Sequence, residues 1–440
     1  MDDTIDFHER NVTHCGIWRM VAKMVKKYDV IIVGCGIAGA VAGLTALKQG
    51  LKVCVIEKKG LSCIGDKPCG ELTTREALGF LKSMFGLSIN NYPLKGLKIT
   101  TPSGSTSYVR EPLCTIDRRE MGQILAGALL DEGADMYHES VKSPVGTSPV
   151  EGVRTAAHTF YSTVTLECSG VASALKRHLP MMNPHFGVAY KERVVPDASV
   201  DMEYATLLIE KRMIQSGYMW CFPKSECELN VGAGGIHYRK ASLQKGVQAV
   251  LEILSISGNC DMPGMSAVPV SGPLPSLVYP GVLVCGDAAG QVNPLTGEGI
   301  APAVTAGYHA ARTAVAAAEA DDSSIQTLWT YNCEAAASYG WIHAPLVAAR
   351  DFLVSLDDRE VNMFLRKAVS DDDMANLIKG IVTLSPGKGA EILSRCWKTP
   401  RFLYRLYQTV LRMEKIRKLY MDYPQTPEEF LSWKRKVDLL

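Results

Sequence analysis

Thirteen cysteines are scattered through the chain, yet no two form a CxxC pair or stand at zinc-ligand spacing. Neither a zinc ribbon nor iron–sulfur ligation is therefore expected, and free thiols point to a reducing, cytoplasmic compartment. Charge of one sign is missing as well. Lys plus Arg number 47 against 46 Asp plus Glu, a net +1 that gives no global pull toward nucleic acid or membrane. The opening MDDTIDFHERNVTHCGIWRM lacks an apolar core, unlike a signal or transit peptide, so residues 1–27 are expected to be an N-terminal extension. Met24 would be a natural lead-in to the strand after it. Repeats and low-complexity segments are missing too. Residues 30–47 are uncharged and have the length of a membrane span, but glycines at fixed spacing interrupt them.

What is present begins there. Residues 28–33 branch like a buried strand, Gly34-Cys35-Gly36-Ile37-Ala38-Gly39 follows, and an Ala/Leu-rich helical run leads to a second apolar strand at 52–56 closed by Glu57. This is the layout of a dinucleotide-binding βαβ unit. Gly34 permits the tight turn, Gly36 lets a pyrophosphate approach the backbone, and Gly39 lets helix pack on strand. The helix N-terminus offers free N–H groups to phosphates, and Glu57 can accept from ribose hydroxyls.

A second fingerprint of this kind, which a two-dinucleotide reductase would show in mid-chain, is missing. Instead a strand at 282–284 ends in Cys285-Gly286-Asp287-Ala288-Ala289-Gly290, followed by Gly297-Glu298-Gly299-Ile300 and an alanine-rich helix to about 320. Asp287 is placed to bind the ribityl hydroxyls of a flavin, Gly286, Gly297 and Gly299 to let backbone approach, and the helix opening at Ile300 to aim its positive end at the pyrimidine side of the ring. FAD explains both motifs at once.

Four more segments complete the pattern: Lys67-Pro68-Cys69-Gly70; Asp117-Arg118, followed by Met121 and Leu125; Leu166-Glu167-Cys168-Ser169-Gly170-Val171-Ala172-Ser173; and Gly217-Tyr218-Met219-Trp220-Cys221-Phe222-Pro223. Together they resemble the geranylgeranyl reductase family, within the p-hydroxybenzoate-hydroxylase-like class of FAD proteins. The resemblance implies a cysteine-containing loop beside the flavin (Lys67, Cys69, Gly70), an arginine approaching it (Arg118), and a further cofactor contact at Gly170. Ile37, Ala38, Lys58 and Val141 complete the expected cofactor contacts. Ser169 stands where the class usually has an aspartate that helps handle NADPH, and Ala289-Gly290 where its hydroxylases usually carry a histidine.

In a strand, Tyr218, Trp220 and Phe222 share one face, Met219 and Cys221 the other, and Pro223 is expected to end the ladder. Spacing alone reads this as a core strand. The resemblance makes the three aromatics, with Pro223, a wall for an isoprenoid chain. Cys69 reads equally as a small buried hydrophobe and as a group beside the flavin, and with Tyr218 it is a candidate proton donor. His237, His309 and His343 lack partners for a metal, and none is expected.

The expected architecture is α/β: a discontinuous Rossmann-like FAD domain (28–90, 114–180, 281–320), an antiparallel-sheet substrate domain (91–113, 181–280) and a helical C-terminal region (321–440). Helical periodicity marks 346–355, 371–382 and 400–420. The last mixes Arg401, Arg405, Arg412, Lys415, Arg417 and Lys418 with Phe402, Leu403, Leu406, Val410 and Leu411. It reads first as a helix packed on its own domain, and second as a peripheral contact with an anionic bilayer at the inner face of the cell membrane.

The expected reaction is saturation of isolated C=C bonds in a geranylgeranyl chain, in an apolar tunnel beside reduced FAD. The archaeal-type digeranylgeranylglycerophospholipid comes first as substrate, with geranylgeranyl diphosphate of the chlorophyll pathway or a menaquinone side chain as alternatives. Ferredoxin or NAD(P)H would be the electron donor, and the protein a monomer. An FAD-dependent monooxygenase and a lipid-binding flavoprotein carrier are the competing functions.

Overall fold

The computed structural model of the chain describes residues 25–381 and 386–440. The expected extension up to residue 24, and position 382 of the expected helix 371–382, lie outside them. The first strand, Val25–Val33, begins earlier than the expected Tyr28, because Val25, Lys26 and Lys27 already pair with Thr159, Phe160 and Tyr161.

That strand is central in a sheet whose parallel core runs Val282–Val284, Thr159–Glu167, Val25–Val33, Val53–Ile56, Asp135–Tyr137. Ile31 and Ile32 are fully buried, as a parallel sheet covered on both faces requires. Register places Val33 beside both Glu167 and Ile56, and Glu167 beside Val284. Four carboxyl ends thus finish level, and Gly34, Glu57, Cys168 and Cys285 follow at one edge. Open α/β sheets bind ligands at that edge.

Helix Ile37–Lys48 is buried at every position from Ile37 to Ala46, the mark of an internal helix. Ile300–Ala320 lies against it. The contact needs Gly307, where a Cβ would fall 2.3 Å from the Ala38 carbonyl oxygen. Among the described residues no helix is long and apolar enough to cross a membrane.

The second sheet orders its strands Gly258–Pro269, Phe186–Pro196, Glu228–Gly235, Gly217–Ser225, Tyr204–Leu208, Gly96–Thr100, Thr106–Val109. It is mixed rather than purely antiparallel as expected: Tyr204–Leu208 runs parallel to Gly96–Thr100, because that strand arrives from a distant part of the chain. A small third sheet joins Leu72–Thr74, Leu113–Ile116 and Asn91–Leu94. The C-terminal helices include Trp341–Ser355, Asp371–Ile378 and Pro400–Met421. Their Phe352, Phe364, Phe402 and Trp433 share one apolar core with Leu97, Leu207, Trp220 and Phe222 of the second sheet.

Candidate active site

Gly34, at φ +99°, turns the chain so tightly that a Cβ would fall 2.7 Å from the Cys168 carbonyl oxygen. Only glycine fits. Gly39 is equally constrained, 2.1 Å from the Gly34 oxygen. Gly36 differs: its φ of −77° suits any residue, and a Cβ there would find nothing closer than the Cys168 carbonyl oxygen at 3.9 Å. Packing of the chain does not demand glycine here, whereas close approach of a diphosphate would. No side chain caps helix Ile37–Lys48, so its first N–H groups remain for such a ligand. Glu57 accepts from the Cys35 N–H at 2.8 Å and the Lys59 N–H at 2.9 Å, which fixes its carboxylate at the mouth of the turn.

On the opposite side of the crevice Gly286 (φ +66°) and Gly290 (φ +68°) bracket the turn that carries Asp287. This turn is held from behind. The buried Gln291 accepts from the Gly286 N–H at 2.5 Å and donates to the hydroxyls of Tyr331 (2.9 Å) and Tyr339. Lys67 reaches across to form an ion pair with Asp287. Arg118 lies at the first position of helix Arg118–Asp131, whose N-cap Asp117 accepts from the N–H groups of Arg119 and Glu120. Its guanidinium is buried, its Nη1 has no partner, and burial holds its pKa below the usual arginine value.

The Cys69 loop meets the aromatic strand through Asn230. Its Oδ1 accepts from Trp220 Nε1 at 3.0 Å, and its Nδ2 donates to the Cys69 carbonyl at 2.8 Å and to Glu71 Oε2 at 3.1 Å. Glu71, a non-glycine residue at φ +63°, also accepts from Lys224 Nζ (2.8 Å) and the Arg118 N–H (2.9 Å). Left-handed backbone of this kind persists only where surroundings over-determine it. Gly70 allows the loop to lie on the strand: its Cβ would sit 3.2 Å from the Phe222 ring.

Tyr218, Trp220 and Phe222 do share a face, with ring centroids 6.2 and 6.1 Å apart in sequence order, while Met219 and Cys221 enter a different core. Trp220 and Phe222 are only 5% and 6% exposed. They do not line an open tunnel, contrary to expectation, because the Cys69 loop and the apolar core shared with the C-terminal helices cover them. Pro223 does not end the ladder either. The strand runs to Ser225, and the register shifts after Pro223, which accommodates its missing N–H. The Tyr218 hydroxyl donates to the Thr296 carbonyl, next to Gly297, whose Cβ would lie 3.0 Å from that hydroxyl. Burial raises the pKa of both the Tyr218 phenol and the Cys69 thiol.

The crevice therefore brings together Gly34, Gly36, Glu57, Lys67, Cys69, Gly70, Arg118, Tyr218, Asp287, Gly297 and Gly299. Gly170 (φ +83°) stands in the turn after Glu167, and Ile37, Ala38 and Ile300 are buried at their helix starts. Val141 is buried in the same core as Ile37, Ala38 and Ile300, and Lys58 is exposed next to Glu57. His309 pairs with Glu334, and burial holds His343 down at about 4. Among the described residues no cluster could hold a metal ion, and all twelve described cysteines are free.

Several residues here have no sequence signal. Asn230 and Lys224 belong to no motif, and only the fold brings them in. Glu71 directly follows the Lys67–Gly70 segment, and Gln291 and Glu298 lie within the 282–300 stretch, without standing out. Glu298 accepts from the Ala301 N–H (2.8 Å) and the Thr73 hydroxyl (3.3 Å), and desolvation pushes its carboxyl up to about 7.

Comparison with known proteins decides among flavin-binding possibilities. Residues 186–254 match the geranylgeranyl reductase catalytic domain, and residues 29–63 an FAD binding domain. The chain is 29% identical to a digeranylgeranylglycerophospholipid reductase of Sulfolobus acidocaldarius, over 94% of this chain and 97% of that protein. The chain is similar to the geranylgeranyl reductase family over almost its whole length. A second relative of the same description, from Methanothrix thermoacetophila, is 26% identical over 81% of this chain and 96% of its own length. Among solved structures, a geranylgeranyl bacteriochlorophyll reductase-like protein from Thermoplasma acidophilum superposes with a TM-score of 0.72 at 25% identity, covering 88% of this chain and all of that one. A flavin-dependent brominase, at 16% identity and TM-score 0.64, shares the fold. FAD is the cofactor of this flavoprotein. The open approach at Gly36 and the unpartnered buried Nη1 of Arg118 fit a bound dinucleotide.

Proposed function

We propose that this reductase saturates C=C bonds of geranylgeranyl chains, with the archaeal-type digeranylgeranylglycerophospholipid as substrate. The observation that carries the reading is the meeting of the Cys69 loop, the Tyr218–Phe222 face and the Gly297–Gly299 turn at the end of an FAD-binding crevice. The relatives' names supply the lipid.

In this reading Gly34, Gly36 and Gly39 admit the diphosphate, Glu57 holds the adenosine ribose, and Asp287 holds the ribityl chain, with Lys67 and Arg118 as nearby cations. Gly297, Gly299 and the start of helix Ile300–Ala320 cradle the ring. An isolated alkene has no carbonyl to polarise, so FAD, once bound and reduced, supplies the reducing equivalents. The chain must hold the alkene in place, exclude water and provide a proton. Tyr218 and Cys69 are both fully protonated near neutral pH, the state a donor needs. Each is a weak acid, so transfer depends on charge developing at the alkene carbon. Tyr218, Trp220, Phe222 and Pro223 supply the apolar wall. Its coverage means that an incoming prenyl chain displaces protein contacts rather than water.

Anaerobic mixing of dithionite-reduced protein with three lipids tests the substrate. Recovery of oxidised-flavin absorbance is expected fastest with the digeranylgeranyl phospholipid. Faster recovery with geranylgeranyl diphosphate or a menaquinone would overturn the headgroup assignment.

A further inference from the structure

Helix Pro400–Met421 presents two faces with different uses. One buries Phe402, Val410, Met413, Ile416 and Tyr420 against the protein. On that side Arg405 pairs with Glu360 at 2.9 Å, and Arg417 lies 5.2 Å from the centre of the Trp341 ring. Much of what the sequence offered to a bilayer is thus used internally.

The opposite face has no such employment. Tyr404 is 66% exposed, Tyr407 52% and Leu411 36%, at helical spacing. The preceding helix and its connecting turn add Leu393 and Trp397, at 58% and 65%. Arg401, Arg412, Lys415 and Lys418 are exposed on the same arc of the helix, with Glu414 as the acid among them. On a chain whose net charge is +1, this is a local concentration of positive charge. Scattered apolar residues on a surface need no explanation, but this stripe combines three features. Its aromatics are Trp and Tyr, the residue types that settle at the headgroup level of a bilayer. Its cations complement anionic lipid. Its other face anchors the helix, so insertion would not require unfolding.

We infer that the exposed face of Pro400–Met421, with Leu393 and Trp397, docks the protein on an anionic phospholipid bilayer. The inference rests on the reductase reading in one respect: a prenyl-lipid substrate brings the protein to such a surface. Side chains inserted to headgroup depth would let substrate pass from bilayer to protein without crossing water.

The test is co-sedimentation of the full-length, FAD-loaded protein with vesicles of phosphatidylglycerol or of phosphatidylcholine. Wild type is expected to bind the anionic vesicles preferentially. W397S/Y404S/Y407S and, separately, R401E/K415E/K418E should each weaken that binding at least about tenfold. FAD content and circular dichroism should stay as in wild type, and flavin reoxidation by detergent-dispersed substrate should not change. Equal binding to both vesicle types, no binding by wild type, or undiminished binding by the folded variants would overturn the inference. So would a wild-type dimer that the variants dissociate, since a second copy would then occupy the face. Failure of the reductase reading is a separate outcome: no reoxidation in detergent, whatever the vesicle binding.

Discussion

Replacing Asn230 by leucine should cost more than any other conservative change near the crevice. The side chain is 2% exposed, and leucine keeps its heavy-atom count and branching but has bulkier methyl groups, so crowding adds to the polar loss. Three hydrogen bonds disappear, to the Trp220 indole, the Cys69 carbonyl and the Glu71 carboxylate. The indole N–H and the Cys69 carbonyl are left buried without these partners, at about 1–3 kcal/mol each. Glu71 keeps Lys224 and the Arg118 N–H, so its loss is smaller. A total of about 4 kcal/mol corresponds to a fall in Tm of about 4 °C for a cooperative unit of this length. Calorimetry at matched FAD loading measures it. Alkylation of Cys69, followed by peptide mass spectrometry, should accelerate as the loop loosens. A variant within about 1 kcal/mol of wild type and unchanged Cys69 reactivity would refute the idea that Asn230 ties loop to strand.

Three further outcomes follow from the same geometry. Gly34→Ala places a methyl group 2.7 Å from the Cys168 oxygen at φ +99°, and the purified protein should carry less than about a tenth of the wild-type FAD, read from its 450 nm absorbance. Gly232→Ala should lower stability by about 1–3 kcal/mol in urea titration, since its Cβ would fall 2.0 Å from the Trp220 ring. Glu298 is held at about 7 when folded, against 4.5 as its ordinary value. Its contribution to stability is therefore complete below pH 4.5 and is lost as pH rises through 7. Apoprotein unfolding free energies from urea titration of wild type and Glu298→Gln should diverge over that window by at most about 3 kcal/mol, with wild type the steeper. Parallel profiles would contradict the burial of this carboxyl.

The dinucleotide unit was legible because its constraints are local. The tight turn at Gly34, the helix starting at Ile37 and the acid after the second strand lie within a single run of chain. The Asp117-Arg118 segment was legible only through the family resemblance, and the structure makes it an N-cap and first helical position. Asn230, Lys224 and Gln291 were not, because their partners lie far along the chain and only the tertiary fold unites them. The aromatic alternation was read correctly, and spacing alone gave the core strand that the structure shows; what the sequence did not reveal is the helical region from beyond residue 320 that shares this core. Pro223 shows the same limit. A proline in a strand signals a missing donor, and whether the strand stops or shifts register depends on the strand beside it. In the C-terminal helix the first reading, a helix packed on its own domain, fits the burial of Phe402 and Val410, while Leu411 of the same stretch stays exposed.

The central claim is that reduced flavin on this chain hydrogenates a prenyl chain. Protein reduced stoichiometrically under anaerobic conditions and mixed with digeranylgeranylglycerophospholipid should return one lipid with a mass gain of two hydrogens for each flavin reoxidised. Lipid of unchanged mass beside flavin that stays reduced, or an oxygen atom gained when air and NADPH are supplied, would contradict it.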